Sequence, residues 1–509
     1  MGRRRRQFFL LAIAILTVFA FFAARLTQRF VGDVGLLRAG RLRQAHKGHE
    51  FIRMEMLEGH TAVTPAEEFE SAYVSFYSRP IPSALVDKWR PYAEAQNCST
   101  EPSHYANADH QLETFRNLQT FAKPGIFKSM IENAAKAPRT VLWQVKEGKL
   151  AHVRGDIPFW GSGTWRKELL GPIAEVLPDM LLTTNLLDEP RVLRPANESI
   201  GQPDRMRFRG RSAAETIRPS CLNQTAAYQS IVGFFVSPVT FDARRGFLPI
   251  FSRTRVPHCF VDIVSAFYPS EWTPGDAPLP RWEDKTEKLV WRGSNTGCQW
   301  TNADELLWKC ERGRLVKLFG QNNKAATLKD VGDAMRSHGL LSDQDQWPSG
   351  EWASSRVGDI FDVGMTGYGQ CNTPSICSQL EGILGRAKPI PFMRHFDYKY
   401  VLHVDGNSYS RRLVGLLRSN SLVFLSTAFE TWMDGWLQPW VHFIPVSPSL
   451  ADLPAKLIWA LEHDGDARRI AENAQRFAQR YLRPVDFGCY LAWLLIEYES
   501  LFRPRQRPE

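Results

Sequence analysis

Apolar and polar positions along the chain fall into three regimes. The first is a run without charge, Phe8 to Ala24, almost wholly apolar and bounded by Arg3–Arg6 before it and Arg25 after it. As a helix rising ~1.5 Å per residue it spans about 25 Å, a little short of a ~30 Å hydrocarbon core and adequate for a thin membrane. The second, Leu26 to about His110, is mixed and poorly periodic, with an Arg- and Glu-rich, helix-compatible patch at Arg38–Glu58. It reads as a stem. The third is globular. Short apolar runs at Thr140–Val145, Met180–Thr183 and Ile231–Val236 are separated by polar, proline-containing segments as far as Trp282. Beyond Glu287 strands and helices alternate. Strands are predicted at Val401–Val404, Ser421–Leu425 and Trp440–Val446, and a helix at Ser410–Arg418. Three helices follow at Leu453–Leu461, Ala467–Tyr481 and Phe487–Phe502, the second with Asp466 at its N-cap and Ile470, Ala474, Phe477, Ala478 and Tyr481 on one face.

Alternating strands and helices imply a parallel sheet covered on both faces. A chain of 509 residues exceeds what one core normally organises. The segment with Pro274, Gly275, Pro278 and Pro280 reads as a linker between two α/β halves facing a cleft. The expected division is a cytosolic tail over 1–7, a transmembrane anchor over 8–24 and a luminal stem over 25–110. A first α/β domain over 111–285 and a second over 286–509, closed by the C-terminal helices, complete it.

Charge decides orientation. The basic cluster holds the N-terminus in the cytosol, so everything after Arg25 is luminal. A cleaved signal peptide is the alternative, but the run exceeds a usual h-region and Phe21 and Phe22 crowd a small-residue cleavage site. Three N-x-S/T sequons, at Asn97, Asn197 and Asn223, agree with a luminal body. Eight scattered cysteines form no zinc-ligand spacing and suit disulfides whose pairing the sequence leaves open. The net charge of +9 loses four units with Arg3–Arg6. The remainder reads as local anion sites rather than a nucleic-acid face.

Three segments carry candidate chemistry. Lys288–Gly297 is an apolar strand running into a loop, and such loops line the ligand crevice of parallel sheets. There Gly293 permits close backbone approach to an anion, Ser294 and Thr296 can donate to phosphate oxygens, and Arg292 can grip a diphosphate bidentately. Val404–Arg412 joins strand to helix with Ser410 at the expected N-cap. Its Arg411 and Arg412 oppose the helix dipole unless an anion compensates. Thr184–Val192 places Asp188 and Glu189 before Pro190, where either could take a proton from a hydroxyl. The ordinary alternative for each is a turn or a solvated surface arginine. Two acidic triplets, Asp343-Gln344-Asp345 and Asp464-Gly465-Asp466, match a D-x-D metal pattern but lie in polar, helix-flanking segments. Paired carboxylates for glycoside hydrolysis are disfavoured, because adjacent Asp188 and Glu189 diverge instead of flanking one bond.

In one order along the chain, Asn185-x-x-Asp188-Glu189-Pro190-Arg191, Asp262-Ile263 with Pro269, Leu289–Ser294, Tyr398–Gly406, Ser419–Val423, Leu437–His442 and Ile444–Val446 resemble glycosyltransferase family 90. That family joins fungal capsule-associated proteins and animal protein O-glucosyltransferases, and the similarity leans toward the fungal, xylose-transferring members. The resemblance implies a GT-B fold of two Rossmann-like domains and inverting transfer from a UDP-sugar to a glycan hydroxyl. It also implies no tightly bound cofactor and usually no metal in the catalytic step. By the same resemblance Asp188 is the base, and Arg292, Gly293, Ser294 and Arg412 meet the nucleotide diphosphate. Glu430, Trp440 and His442 lie in matching segments without an assigned role. UDP-xylose as donor, a mannose-containing acceptor and a Golgi type II membrane location complete the expectation. A UDP-glucose or UDP-galactose enzyme and a catalytically inactive glycan-binding homologue are the alternatives. The stretch from Asp262 to Pro269 is longer than the family's pattern.

Overall fold

A computed structural model describes residues 83–99, 103–116, 126, 128–155, 170–194, 230–239, 243–257, 259–267, 278–342, 345–434 and 436–502. The expected anchor, the Arg38–Glu58 patch, Asn197, Asn223 and Asp343 lie outside them. Among the described residues no helix is long and apolar enough to cross a membrane.

Two five-stranded sheets organise the chain. The first contains β1 (Thr140–Lys146), β2 (Lys149–Arg154), β3 (Met180–Asn185), β6 (Ile250–Ser252) and β7 (Ile263–Val264) in the order β2-β1-β3-β6-β7. Its β1 pairs antiparallel with both neighbours, while β3, β6 and β7 run parallel. The β1–β2 hairpin turns at Glu147 and Gly148, both at positive φ (49° and 70°), the backbone that matches the strands' twist in a two-residue turn. This antiparallel edge departs from the expected pair of Rossmann-like halves. Strands β4 (Val192–Leu193) and β5 (Arg244–Arg245) form a small parallel pair beside it.

The second sheet is parallel throughout. It comprises β8 (Thr286–Ser294), β9 (Phe361–Gly367), β10 (Tyr398–Val404), β11 (Leu422–Ser426) and β12 (Ile444–Pro445) in the order β12-β11-β10-β8-β9. Counted from β8, this is the 2-1-3-4-5 order of a doubly wound sheet, with the switch point between β8 and β10. Alternation along these strands explains the two covered faces. Leu289, Trp291, Tyr400, Leu402, Leu422 and Phe424 enter one core, whereas Val290, Val401, Val423 and Leu425 enter the other. Successive side chains point to opposite faces, so strands apolar at every position must be buried twice.

Helices α1 (Ser83–Ala95) and α2 (Ser103–Arg116) pack on the long C-terminal helix, and the disulfide Cys98–Cys489 ties them to it. The expected stem boundary near residue 110 therefore falls inside α2. Further on, α3 (Glu311–Phe319), α4 (Arg412–Arg418), α5 (Leu453–Glu462) and α6 (Asp464–Tyr481) cover the second sheet, and α7 (Pro484–Ser500) closes the chain. Helix α7 is apolar around most of its circumference and is buried accordingly. It returns to the first sheet, where Tyr498 donates to the Leu181 carbonyl at 3.3 Å and packs its ring on Phe251. The strands of the first sheet precede residue 285 and those of the second follow it, while this C-terminal helix packs back on the first sheet. Two further expectations shift. Trp440–Val446 supplies only the two-residue β12, since Trp440 sits at φ 65°. Helix α6 begins at Asp464, so Asp466 lies in its first turn, ion-paired with Arg469 at 2.6 Å, and caps nothing.

Candidate functional site

The carboxyl ends of β8 and β10 meet at the switch point, where a doubly wound sheet opens its ligand crevice. Strand β8 runs further than expected. Arg292, Gly293 and Ser294 are strand residues paired with Gly364, Met365 and Gly367, and the loop begins at Asn295. The reason is tertiary. Arg292 is 8% exposed and its Nη2 donates to Asp362 Oδ1 at 2.6 Å, with Nη1 on the Asp362 and Trp291 carbonyls and Nε on that of Lys388. A partnered arginine can stay inside a strand where an unpartnered one could not. Burial works against the charge of Asp362, but hydrogen bonds from Tyr398 and Arg292 hold its carboxyl below the ordinary value. The glycine that makes the turn is Gly297, at φ 103°, and a Cβ there would lie 3.3 Å from the Gly406 carbonyl.

The β8 and β10 loops are held together by Arg312 of α3, a residue the sequence pattern does not single out. It is 1% exposed. Its Nε donates to the Asp405 carbonyl at 2.7 Å, and Nη1 reaches Thr296 Oγ1 at 2.5 Å and the Ser294 carbonyl at 3.2 Å. Asn407 Oδ1 receives the Gly297 N–H at 3.1 Å and Gln370 Nε2 at 2.7 Å. Trp291 is fully buried with two guanidiniums beside its ring, Arg312 at 5.5 Å and Arg412 at 5.8 Å, an arrangement favoured by the ring quadrupole. Arg412 Nη1 donates to the Arg292 carbonyl at 2.7 Å. Its helix, α4, starts two residues later than expected. Arg411 occupies the N-cap, and Ser410 Oγ instead accepts from Arg412 Nε at 3.4 Å. Arg292, Ser294, Thr296 and Arg412 are therefore neighbours through shared partners.

Asp188 stands across from them at the end of β3. Asn185 shapes its loop, accepting from Leu187 N–H at 3.0 Å and donating to the Glu189 carbonyl at 2.8 Å. Arg191 and Val192 N–H donate to the two oxygens of buried Asp262 at 2.9 and 2.8 Å. Burial pushes the Asp262 carboxyl up to about 6, against the pull of hydrogen bonds from Ser252, Val192 and Arg191. The Asn185-to-Arg191 and Asp262 segments are thus one structural unit that presents Asp188. Glu189, the other acid weighed, is 4% exposed and faces away from solvent. Asp188 is 38% exposed, and Arg253 Nη1 donates to its Oδ1 at 2.8 Å. No hydrogen bond to its Oδ2 is present among the described residues. Ser408 Oγ, from the β10–α4 loop, donates to the Asp188 carbonyl at 2.8 Å. The first sheet's acid and the second sheet's crevice are in direct contact.

A second carboxylate bridges the halves in another way. Glu430 is fully buried and takes Arg255 Nε and Nη2 on its two oxygens at 2.8 and 2.9 Å, with Gln111 Nε2 at 2.9 Å. His110 Nε2 lies 3.4 Å from it. Burial opposes the Glu430 charge, but Arg255 and His110 hold its carboxyl far below the usual range. Burial also opposes the charge of His110, yet hydrogen bonds to Glu113 and Glu430 raise it overall. His442 is partly buried, which pushes its imidazole down to about 3, and its Nδ1 accepts the Gln438 N–H at 3.0 Å.

The acidic triplets have other partners. Asp464 accepts from Trp282 Nε1 and Lys399, Asp466 pairs with Arg469, and Asp345 accepts the Ser342 N–H and hydroxyl. Among the described residues no group of three or more metal-ligating side chains forms. Disulfides join Cys298 to Cys310 and Cys371 to Cys377, both beside the β8 loop, where Asn295 Nδ2 lies 3.4 Å from Cys371 Sγ. Asn97 is exposed in the turn after α1, at φ 51°.

Comparison with known proteins finds similarity over part of the chain. Residues 378–509 match the sequence model of Glycosyl transferase family 90. That stretch contains Arg412 and Glu430 but neither Asp188 nor Arg292. Human Protein O-glucosyltransferase 3 is 34% identical over 152 residues, covering 30% of this chain and 28% of the relative. Zebrafish (Danio rerio) Protein O-glucosyltransferase 2 is 40% identical over 116 residues, 22% of this chain and 23% of the relative. Human Protein O-glucosyltransferase 1 is 34% identical over 117 residues, 22% and 29% respectively. The matched stretch thus spans less than a third of each relative. The family-model match covers the part of the chain that builds β10, β11 and the helices behind them.

Proposed function

We propose that this chain is a family 90 glycosyltransferase of GT-B type that transfers a sugar, with inversion, from a UDP-sugar to a hydroxyl of a glycan or glycoprotein. The observation that carries the reading is the contact of Asp188 with the β10–α4 loop, which sets a half-exposed carboxylate against the switch-point crevice. In the reaction the acceptor hydroxyl gives its proton to Asp188 as its oxygen attacks the anomeric carbon. The bond from that carbon to the diphosphate oxygen breaks, and UDP leaves with the electron pair. Ser294, Thr296 and Arg412 line the diphosphate side, where developing negative charge is stabilised by fixed donors. Arg292, engaged with Asp362, serves this side as a strut that places its own carbonyl under Arg412.

The donor follows from chemistry shared by two sugars. Xylose and glucose have the same equatorial hydroxyls and differ only in the hydroxymethyl group. The fungal-type resemblance favours xylose, with a mannose-containing acceptor, and the names of the O-glucosyltransferase relatives favour glucose. A screen of UDP release by the full chain with UDP-xylose, UDP-glucose and UDP-galactose separates them. Release from one donor above the others, accelerated by acceptor, is expected; no release from any would remove the enzyme reading in favour of a glycan-binding protein. Repeating the screen in chelator tests the metal-independent assignment, and loss restored only by manganese would overturn it. A Golgi location with Phe8–Ala24 as a type II anchor is part of the proposal, tested by microscopy of the full chain beside a version lacking that run.

A further inference from the structure

Arg253 follows β6, and its guanidinium sits where three elements converge. Its Nη1 donates to Asp188 Oδ1 at 2.8 Å. Its carbon centre lies 5.0 Å from the centroid of Phe267, whose ring also carries Arg411 at 4.9 Å. The Tyr409 hydroxyl lies beside the same guanidinium, and burial pushes that phenol up to about 12 against the pull of Arg253. Arg411 and Tyr409 belong to the β10–α4 loop that also carries Ser408, donor to the Asp188 carbonyl at 2.8 Å. One acid is thus held at both its backbone and its side chain. The backbone tie comes from the nucleotide half. The side-chain tie comes from an arginine that the same half packs against.

Resting on the assignment of Asp188 as base, we propose that Arg253 is a positioning residue for the transfer step, fixing one carboxylate oxygen so that the other faces the acceptor hydroxyl. Two features favour this over a purely structural ion pair. The arginine is 9% exposed, so its rotamer is fixed by packing. The acid is 38% exposed, so one side of it stays open to substrate. Catalytic groups act only when held within a narrow geometry, and a group anchored at one oxygen keeps its other lone pairs aimed. Ser408 extends the positioning, because movement of the nucleotide-side loop carries the Asp188 backbone with it.

The test compares Arg253→Gln, Arg253→Lys and Ser408→Ala with wild type, using the donor that the screen selects, with UDP affinity and melting temperature recorded for each. Arg253→Gln is expected to lower kcat about tenfold to a hundredfold, with donor KM and UDP affinity within twofold of wild type. Arg253→Lys is expected to regain most of that loss, and Ser408→Ala to lower kcat by about threefold with unchanged KM. A kcat within twofold of wild type for Arg253→Gln overturns the proposal. So does a parallel loss of UDP affinity, which would place Arg253 in donor binding, or failure of Arg253→Lys to rescue while remaining folded. If Arg253→Gln does not fold, Arg253→Lys and Ser408→Ala decide: wild-type kcat in Ser408→Ala together with reduced kcat in Arg253→Lys overturns the positioning link. Asp188→Asn run alongside separates the two levels, since retained turnover there sinks the base assignment itself, whatever Arg253 does.

Discussion

Two arginine–carboxylate pairs lie where the halves of this protein meet, and they differ in what surrounds them. Arg255 and Glu430 form a closed knot: the carboxylate is fully buried, both oxygens are taken by the guanidinium, and Gln111 and His110 complete the shell. The main chains also pair there, Glu430 N–H to the Arg255 carbonyl at 2.7 Å and Arg255 N–H to that of Glu430 at 3.1 Å. Arg253 and Asp188, with Arg253 just two residues before Arg255 on the same strand exit, form an open pair with one oxygen held and the acid half-exposed. The closed pair fixes how the halves dock. The open pair is left with capacity to accept a proton. Identical chemical groups take opposite roles because one acid has both oxygens engaged and the other has one.

The open pair predicts the largest effect. Asp188→Asn should reduce transfer by about 10²- to 10⁴-fold, the range for loss of a general base, with UDP affinity unchanged in calorimetry; near-normal turnover would return Asp188 to an ordinary turn residue. The closed pair should answer in stability instead. Glu430→Ala leaves Arg255 buried without its partner and should destabilise the fold by about 3–5 kcal/mol, visible in denaturant unfolding, whereas a loss below about 1 kcal/mol would mean the knot is not what holds the halves. Next comes Arg412→Ala. Loss of the charge-assisted hydrogen bond that the proposal gives it to the diphosphate should weaken UDP binding by roughly 1.5–3 kcal/mol, and unaltered affinity would exclude Arg412 from the diphosphate side.

The smallest expected effect is a pH signature of the knot. The folded pKa of His110 is raised above its ordinary 6.5, so its charge contributes stability that is complete below 6.5 and is lost as pH rises through the folded value. Glu430 has the opposite sense: its depressed pKa gives stability that is present above its ordinary 4.5 and lost as pH falls. The melting-temperature gap between wild type and His110→Gln should therefore be widest near pH 6 and close toward pH 9. A gap independent of pH would show that His110 acts there as a neutral hydrogen-bonding group.

The two pairs and the sheets that carry them are unequally legible in the sequence. Val401–Val404 and Ser421–Leu425 read as strands because mostly apolar short runs alternating with helices fit a covered parallel sheet, and the register of β10 with β11 bears this out. The helices behind them follow from 3.6-residue periodicity. Arg292 reads as a loop residue because nothing local announces Asp362, which neighbours it only once β9 pairs with β8. Glu430 has no role legible in the sequence for the same reason: Gln111 is 319 residues away and Arg255 175. Arg312 reads as one of several charges in Glu311–Arg314. All three charges of that segment are buried in the folded helix, which only the packing around it reveals. The antiparallel β1–β2 edge has its signal in Glu147-Gly148 between two strand-like runs.

The central claim is that the nucleotide lies at the β8–β10 switch point and the acid across from it. Hydrogen exchange of the full chain with and without UDP, followed by mass spectrometry, tests it most directly. Protection should appear in peptides covering residues 292–298 and 404–412, with the β2 edge strand at 149–154 unchanged as the internal reference. Protection confined to the first sheet, or none at saturating UDP, would contradict the account.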